Sequence, residues 1–317
     1  MVTVELLLFL KPRLKLSHEL LQRTTLGSAA ATGIDYARAV LMEDYKNGEV
    51  DSLEEEWSKE INYQLDTVTV TVKIEDEERK FPLLFLVEGM ESDSAVNQGE
   101  ESSGKNMSEE TGVKGLKISE AGCTAFEELL HKSGLPPGWS KEAVDSLADW
   151  IDGDDAARSF GAEKEYYLIS GYQPRNGLPQ TLGELHLIKG FSPEVTKAVL
   201  PYLSTFSSRV NINTADPKVL ESLSPDESLP VYFLVNNRPY NSVDEAIKIA
   251  QVTPKSYHQL EKYLDVKSSF FSVWSTASDV AGHTETVYAV LKRNGKEVKP
   301  IYYLQTKADS QPVAGRD

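Results

Sequence analysis

Six carboxylates crowd the stretch from Asp149 to Tyr167, D-W-I-D-G-D-D-A-A-R-S-F-G-A-E-K-E-Y-Y: Asp149, Asp152, Asp154, Asp155, Glu163 and Glu165. Only Arg158 and Lys164 oppose them within the stretch. Acids this close repel one another unless a positive charge sits among them. Hard oxygen donors at short spacing are what Ca²⁺ takes, six to eight oxygens at about 2.3–2.6 Å. Against the EF-hand template, Asp152, Asp154 and Glu163 fall at the first, third and twelfth positions. Ala156 and Ala157 then stand where that template needs an oxygen ligand and a glycine. The stretch is therefore not an EF-hand. An irregular calcium loop and a solvated acidic turn both remain open.

No other grouping of residues points to chemistry. The five histidines, His18, His131, His186, His258 and His283, are scattered without zinc-ligand spacing. Cys123 is the single cysteine, which excludes an internal disulfide. No nucleophile–base pair, metal triad or phosphate loop accompanies the acids, so no catalytic residue is assigned and no enzyme is expected.

The flanks position the acidic stretch. Ser140-Lys141-Glu142 is predicted to open a helix whose Val144, Leu147, Ala148 and Ile151 share one face, with Trp150 beside it. After the stretch comes a Gly- and Pro-rich loop, Gly171 to Pro179. A cation bound between them would pin an otherwise loose connection.

With 317 residues the chain can hold two domains, and 40% hydrophobic content marks it as globular. The net charge of −16 argues against a nucleic-acid partner, because phosphate binding needs clustered Lys and Arg. It fits a basic, cationic or metallic partner.

Residues Val2 to Leu10 are almost wholly apolar, but the run stops at Lys11-Pro12, short of the roughly 20 residues a bilayer span needs. Three readings are open: a core helix, a weak signal peptide, or the remainder of a membrane segment. The basic K-P-R-L-K flank suits the third. From Leu14 to Tyr45 apolar residues recur at helical steps, and Gly48 ends the helix. Thr67 to Ile74 alternates as a half-buried strand, and Phe81 to Val87 reads as its return. Polar, acidic sequence between residues 91 and 114 reads as a flexible linker.

Residues 115–265 are predicted to be all helix and loop. Thr181-Leu182-Gly183-Glu184 and Ser242-Val243-Asp244-Glu245 have capping-box spacing, and Ser192-Pro193 and Thr253-Pro254 are further helix starts. Leu187 to Ser192 joins two of these helices through Gly190, which resembles a helix-hairpin-helix. Val210-Asn211-Ile212-Asn213-Thr214-Ala215 follows; proteins of DNA uptake carry a similar N-I-N-T-A. The abundance of nearby acids weakens a nucleic-acid reading. Strands at Ser269–Thr276, Glu285–Lys292 and Val298–Gln305 close the chain, the last two joined by the hairpin signal Asn294-Gly295. The economical arrangement is an α+β protein with one antiparallel sheet built from both ends of the chain and a large helical domain inserted between early and late strands. Its parts would be an N-terminal helix (1–48), a sheet domain (49–90 and 266–307), the linker, the inserted domain (115–265) and a loose tail (308–317).

Taken in order, D-W-I-D-G-D-D with G-A-E-K-E-Y-Y, L-G-E-L-H-L-I-K-G-F-S-P-E-V, V-N-I-N-T-A and the D-S-L-E-E-E-W turn at Asp51 to Trp57 resemble the K-type minor pseudopilins of bacterial type II secretion. The resemblance runs from about residue 30 to 290. It implies a pilin-like fold with a long N-terminal helix and a non-enzymatic role at the tip of a periplasmic pseudopilus, beside the I- and J-type minor pseudopilins. It implies single-pass anchoring in the inner membrane, with the main body in the periplasm. It also implies structural Ca²⁺ in the inserted domain. Asp152, Asp154, Asp155 and Glu163 match the family's acidic positions. Lys164 stands where the family often has Asp; either Glu165 compensates or one ligand is lost. The resemblance also implies a prepilin leader and a full membrane helix before the body; Glu5 is given no role.

Overall fold

The computed structural model describes residues 2–89, 116–224, 229–252 and 261–307. The expected linker at 91–114, the tail and most of the helix expected after Thr253 lie outside them. The chain divides into two compact units, one formed by residues 2–49, 54–75 and 270–307, the other by 50–53 and 76–269.

In the first unit a single helix, α1 (Val2–Asn47), packs on a five-stranded sheet. Its buried residues Leu26, Ala29, Ala30, Ile34, Ala37 and Leu41 recur at three- and four-residue steps, which is one helix face. The small residues on that face bring helix and sheet close. A Cβ on Gly33 would lie 2.1 Å from Ser275 Oγ and 2.7 Å from Val72 Cγ2. No helix among the described residues is long and apolar enough to cross a membrane.

The sheet consists of β1 (Ile61–Leu65), β2 (Val68–Asp76), β3 (Phe270–Asp279), β4 (Thr284–Asn294) and β5 (Glu297–Lys307), in that order across the sheet. β1 pairs antiparallel with β2, as do β3 with β4 and β4 with β5. Val68, Val70, Val72 and Ile74 are buried and alternate with more exposed residues, the period-2 signature that marked β2 in the sequence. Trp57 anchors the acidic turn, packed edge-on against Phe271 with ring centres 5.3 Å apart. The strands therefore come from both ends of the chain, as the patterning led us to expect.

The partner of β2 differs from expectation. The neighbours of β2 in the sheet are β1, which precedes it, and β3. The segment Phe81–Val87 is no return strand: Phe81–Pro82 pairs parallel with Leu203–Ser204, and Leu83–Leu86 forms a 3₁₀ turn. Phe81, Leu83, Phe85, Leu86 and Val87 are all buried, so the run lacks the alternation of a one-sided strand.

The second unit holds α2 (Glu120–Lys132), α3 (Pro137–Ile151), α4 (Lys164–Tyr167), α5 (Pro193–Val199), α6 (Pro217–Ser222), α7 (Val231–Asn236) and α8 (Val243–Ile249). It is not wholly helix and loop, since Val210–Asn211 also pairs parallel with Leu264–Asp265. Helix α3 begins three residues before Ser140, with Pro137 in its first turn. Ser192 and Ser242 cap α5 and α8 by accepting from Val195 N and Glu245 N. The expected capping box at Thr181 does not form, and Leu182–Leu187 is a 3₁₀ helix. Glu184 does reach back to the Thr181 backbone and also takes Arg175 at 2.7 and 2.9 Å and Gln180 N at 3.0 Å, but the Thr181 side chain makes no cap bond, so the box stays half made.

Candidate metal centre

Helix α3 is the platform for the acidic loop. Its face Val144, Leu147, Ala148 and Ile151 is buried, and Trp150 stacks edge-on against Tyr167 at 5.3 Å, fixing both ends of the loop. Two acids of α3 then hold the loop backbone. Asp149 accepts from Arg158 N at 3.1 and 3.3 Å and from the Ala162 backbone. Asp145 accepts from Phe160 N at 3.2 Å and pairs with Lys141 at 3.1 Å. Gly161 is required by this grip, because a Cβ there would sit 1.9 Å from Asp149 Oδ2. Arg158 bonds Glu120 of α2 at 2.7 Å, and Lys189 Nζ donates to the carbonyls of Phe160 and Gly161 at 2.9 and 3.0 Å. Asp149, counted by its sequence position among mutually repelling acids, is thus spent on backbone N–H groups. The role of Asp145 had no local sequence signal, since its partner lies 15 residues on.

The fold brings together Asp152, Asp154 and Glu163, whose carboxylate oxygens lie within 4.8 Å of one another. Asp152 is the residue at which α3 stops, and Glu163 immediately precedes α4. Asp152 Oδ1 and Glu163 Oε1 are buried and have no hydrogen-bond partner. A buried oxygen in that state costs about 1–3 kcal/mol, more if it is charged. Asp154 keeps one oxygen on Ala156 N at 2.8 Å. Asp155 and Glu165 are exposed and outside the group of three.

The electrostatics match the geometry. Burial, reinforced by Asp154 and Asp149, pushes Asp152 up to about 6. Burial and then Asp149, Asp152, Asp155 and Asp154 push Glu163 up to about 7. The donor set is all oxygen, negative and short of protons to share, which suits a hard divalent cation and not zinc. The two orphaned buried oxygens are the local sign that the residues fit such an ion.

The N-I-N-T-A segment faces inward. Asn211, Asn213 and Thr214 are each no more than 1% exposed. Thr214 Oγ1 and Ser268 Oγ donate to Asp76 Oδ2 at 2.5 and 2.7 Å, and Asn211 Nδ2 lies 3.4 Å from the same oxygen. Glu78 N donates to Asp76 Oδ1 at 2.8 Å. Asn213 exchanges two bonds with the backbone of Tyr240, at 2.8 and 2.9 Å. The motif is therefore a clamp on a buried carboxylate, and it offers no polar side chain for a DNA backbone. Gly190 has φ +85 and nearly touches the α3 backbone at Ala143, so it serves close packing. Burial pushes the Cys123 thiol up to about 11, which makes it a poor nucleophile.

A long helix packed on an antiparallel sheet, with a helical unit inserted between early and late strands, is a pilin-like α+β fold. Residues 95–208 match the sequence model of the family described as type II secretion system (T2SS), protein K. The chain is 38% identical over 94 residues to a type II secretion system protein K of Escherichia coli K12, covering 28% of each protein. It is 32% identical over 110 residues to that of Klebsiella pneumoniae, 32% of this chain and 34% of the relative. It is 29% identical over 207 residues to that of Pseudomonas aeruginosa, 61% of this chain and 54% of the relative. The matched segments thus span only about a quarter to a half of these curated relatives. The fold is similar to a chain in the crystal structure of the GspK-GspI-GspJ complex of enterotoxigenic Escherichia coli, with TM-score 0.70 and 18% identity over 93% of this chain and 100% of that one. These likenesses to type II secretion system protein K cover part of the chain: residues 95–208 for the family model and 28–61% of the chain for these relatives.

Proposed function

We propose that this protein is a minor pseudopilin, an assembly component of the type II secretion apparatus in the bacterial envelope. It works at the tip of the pseudopilus, joined to GspI- and GspJ-type minor pseudopilins, where it starts or caps the filament used for export across the outer membrane. The observation that carries the reading is the architectural match, across 93% of the chain, to a protein crystallised with GspI and GspJ. The apolar start of α1, Val2 to Leu10, supports an end of the helix directed to the inner membrane, with the body in the periplasm. No step of this role asks for catalysis. Calcium is the cation best suited to Asp152, Asp154 and Glu163; when bound it supplies positive charge that offsets their repulsion. The three carboxylates then tie the end of α3 to the start of α4.

Mixing the chain with GspI- and GspJ-type partners at micromolar concentration tests the reading. A single peak containing all three on gel filtration is expected. Three separate peaks, with each protein folded, would contradict it.

A further inference from the structure

The turn that resembles a helix-hairpin-helix, Leu187 to Ser192, is built to present one side chain. Ile188 and Phe191 are 3% and 4% exposed and anchor the turn in the core. Gly190 sits against α3, where an added Cβ would lie 2.9 Å from the backbone of Ala143. Lys189 is thereby fixed beside α3. Its side chain is half-buried, and its Nζ lies 3.5 Å from Glu142 Oε1 of that helix.

Lys189 grips the acidic loop on both sides of Glu163. Before Glu163, its Nζ donates to the carbonyls of Phe160 and Gly161 at 2.9 and 3.0 Å. After Glu163, its backbone N–H donates to Tyr167 Oη at 3.2 Å, and Nζ lies 5.5 Å from the centre of the Tyr166 ring. Asp145 and Asp149 accept from N–H groups of the same stretch, and a carboxylate can do no more there. Lys189 supplies the donor that the carbonyls need. Ser146 Oγ reaches the Phe160 carbonyl only at 3.5 Å. Between the two grips Glu163 is 7% exposed, and its Oε1 has no hydrogen-bond partner. No bond of its own fixes that oxygen, so the backbone on either side sets where it points.

We propose that Lys189 is a positioning residue for the cation site, holding Glu163 in place for the ion through the loop backbone. The inference rests on the calcium reading of Asp152, Asp154 and Glu163, and it adds the hairpin turn to that site. Charge alone argues the other way. A lysine near a group of carboxylates repels an incoming cation, so by electrostatics alone its removal tightens binding. Removing a group that orients the ligands weakens metal binding, commonly by roughly 10–100-fold. The two accounts therefore predict opposite signs.

The test titrates calcium chloride into the full, chelator-treated chain and three variants, each checked for folding by circular dichroism. Lys189→Met keeps an apolar stem and removes the charge and its N–H donors. It is expected to weaken calcium binding at least about tenfold and to speed amide exchange at residues 160–167. Lys189→Arg returns a charged donor and is expected to bind calcium more tightly than Lys189→Met. Arg175→Met breaks the 2.7 Å pair with Glu184 in the neighbouring loop and is expected to leave calcium affinity unchanged. Equal or tighter binding by Lys189→Met would overturn the proposal and leave the calcium reading standing. So would Lys189→Arg binding no better than Lys189→Met, or an equal loss in Arg175→Met, which would mark a general loosening of the region. An absence of calcium binding in the parent would overturn the calcium reading, and this inference with it.

Discussion

Two sets of buried acids in the second unit show what the same side chain does with and without donors. Asp76 is 1% exposed, yet both its oxygens are met by neutral groups from Thr214, Ser268 and the Glu78 backbone. Burial still raises its proton affinity, but these bonds pull it partly back. Asp152 and Glu163 have one buried oxygen each with no donor, and their nearest neighbours are other acids. One site is complete within the chain. The other is complete only with a proton or a cation. Acid density in a sequence does not separate these cases; the supply of N–H and O–H groups does.

The comparison breaks first at Asp76. Asp76→Ala strands several buried donors at once, and each stranded group costs about 1–3 kcal/mol, so a total loss of about 3–5 kcal/mol is expected in urea unfolding. A loss under about 1 kcal/mol would mean that the clamp is incidental.

At the open site the larger effect comes from calcium. At a free concentration of about a hundred times Kd, calcium should raise stability by about 2.7 kcal/mol. In Asp152→Asn with Glu163→Gln the same addition should leave the unfolding midpoint unmoved. An equal shift in parent and variant would place the ion elsewhere.

A smaller effect follows from pH. Without calcium, Glu163 holds its proton up to about 7 in the folded chain, against an ordinary value of 4.5. The folded state then binds more protons than the unfolded one between those values, so stability falls as pH rises through that window. Asp152, at about 6 against 3.8, contributes with the same sign over its own window. Glu163→Gln should flatten the upper part of the decline in a melting series from pH 4 to 8, and saturating calcium should flatten it in the parent. A slope unchanged by either would show that these two groups titrate normally.

The smallest effect separates the acids that the fold gathers from those it leaves out. Asp155→Asn and Glu165→Gln are exposed changes and should alter stability by no more than about 0.5 kcal/mol. Either one abolishing the calcium response would enlarge the ligand set beyond Asp152, Asp154 and Glu163.

What could be read in the sequence follows the range of the interactions. The alternating valines of β2, the hairpin signal at Asn294-Gly295 and the serine caps of α5 and α8 are local, and each appears in the fold. The acidic loop was legible as a place, because its carboxylates all lie between Asp149 and Glu165. Its division of labour was not: Asp149 goes to backbone N–H groups, and Asp155 and Glu165 to solvent. Phe81 to Val87 misled because a run buried on both sides carries no period. The clamp on Asp76 was hidden because Thr214 lies 138 residues away and Ser268 192. N-I-N-T-A therefore looked like an outward-facing motif when it is an inward one.

The most direct test of the account is a calorimetric titration of calcium chloride into the full, chelator-treated chain, run beside Asp152→Asn with Glu163→Gln. A binding isotherm in the parent that disappears in the variant, with both proteins giving the same helical signal by circular dichroism, is the predicted result. Indistinguishable heats from the two proteins would contradict it.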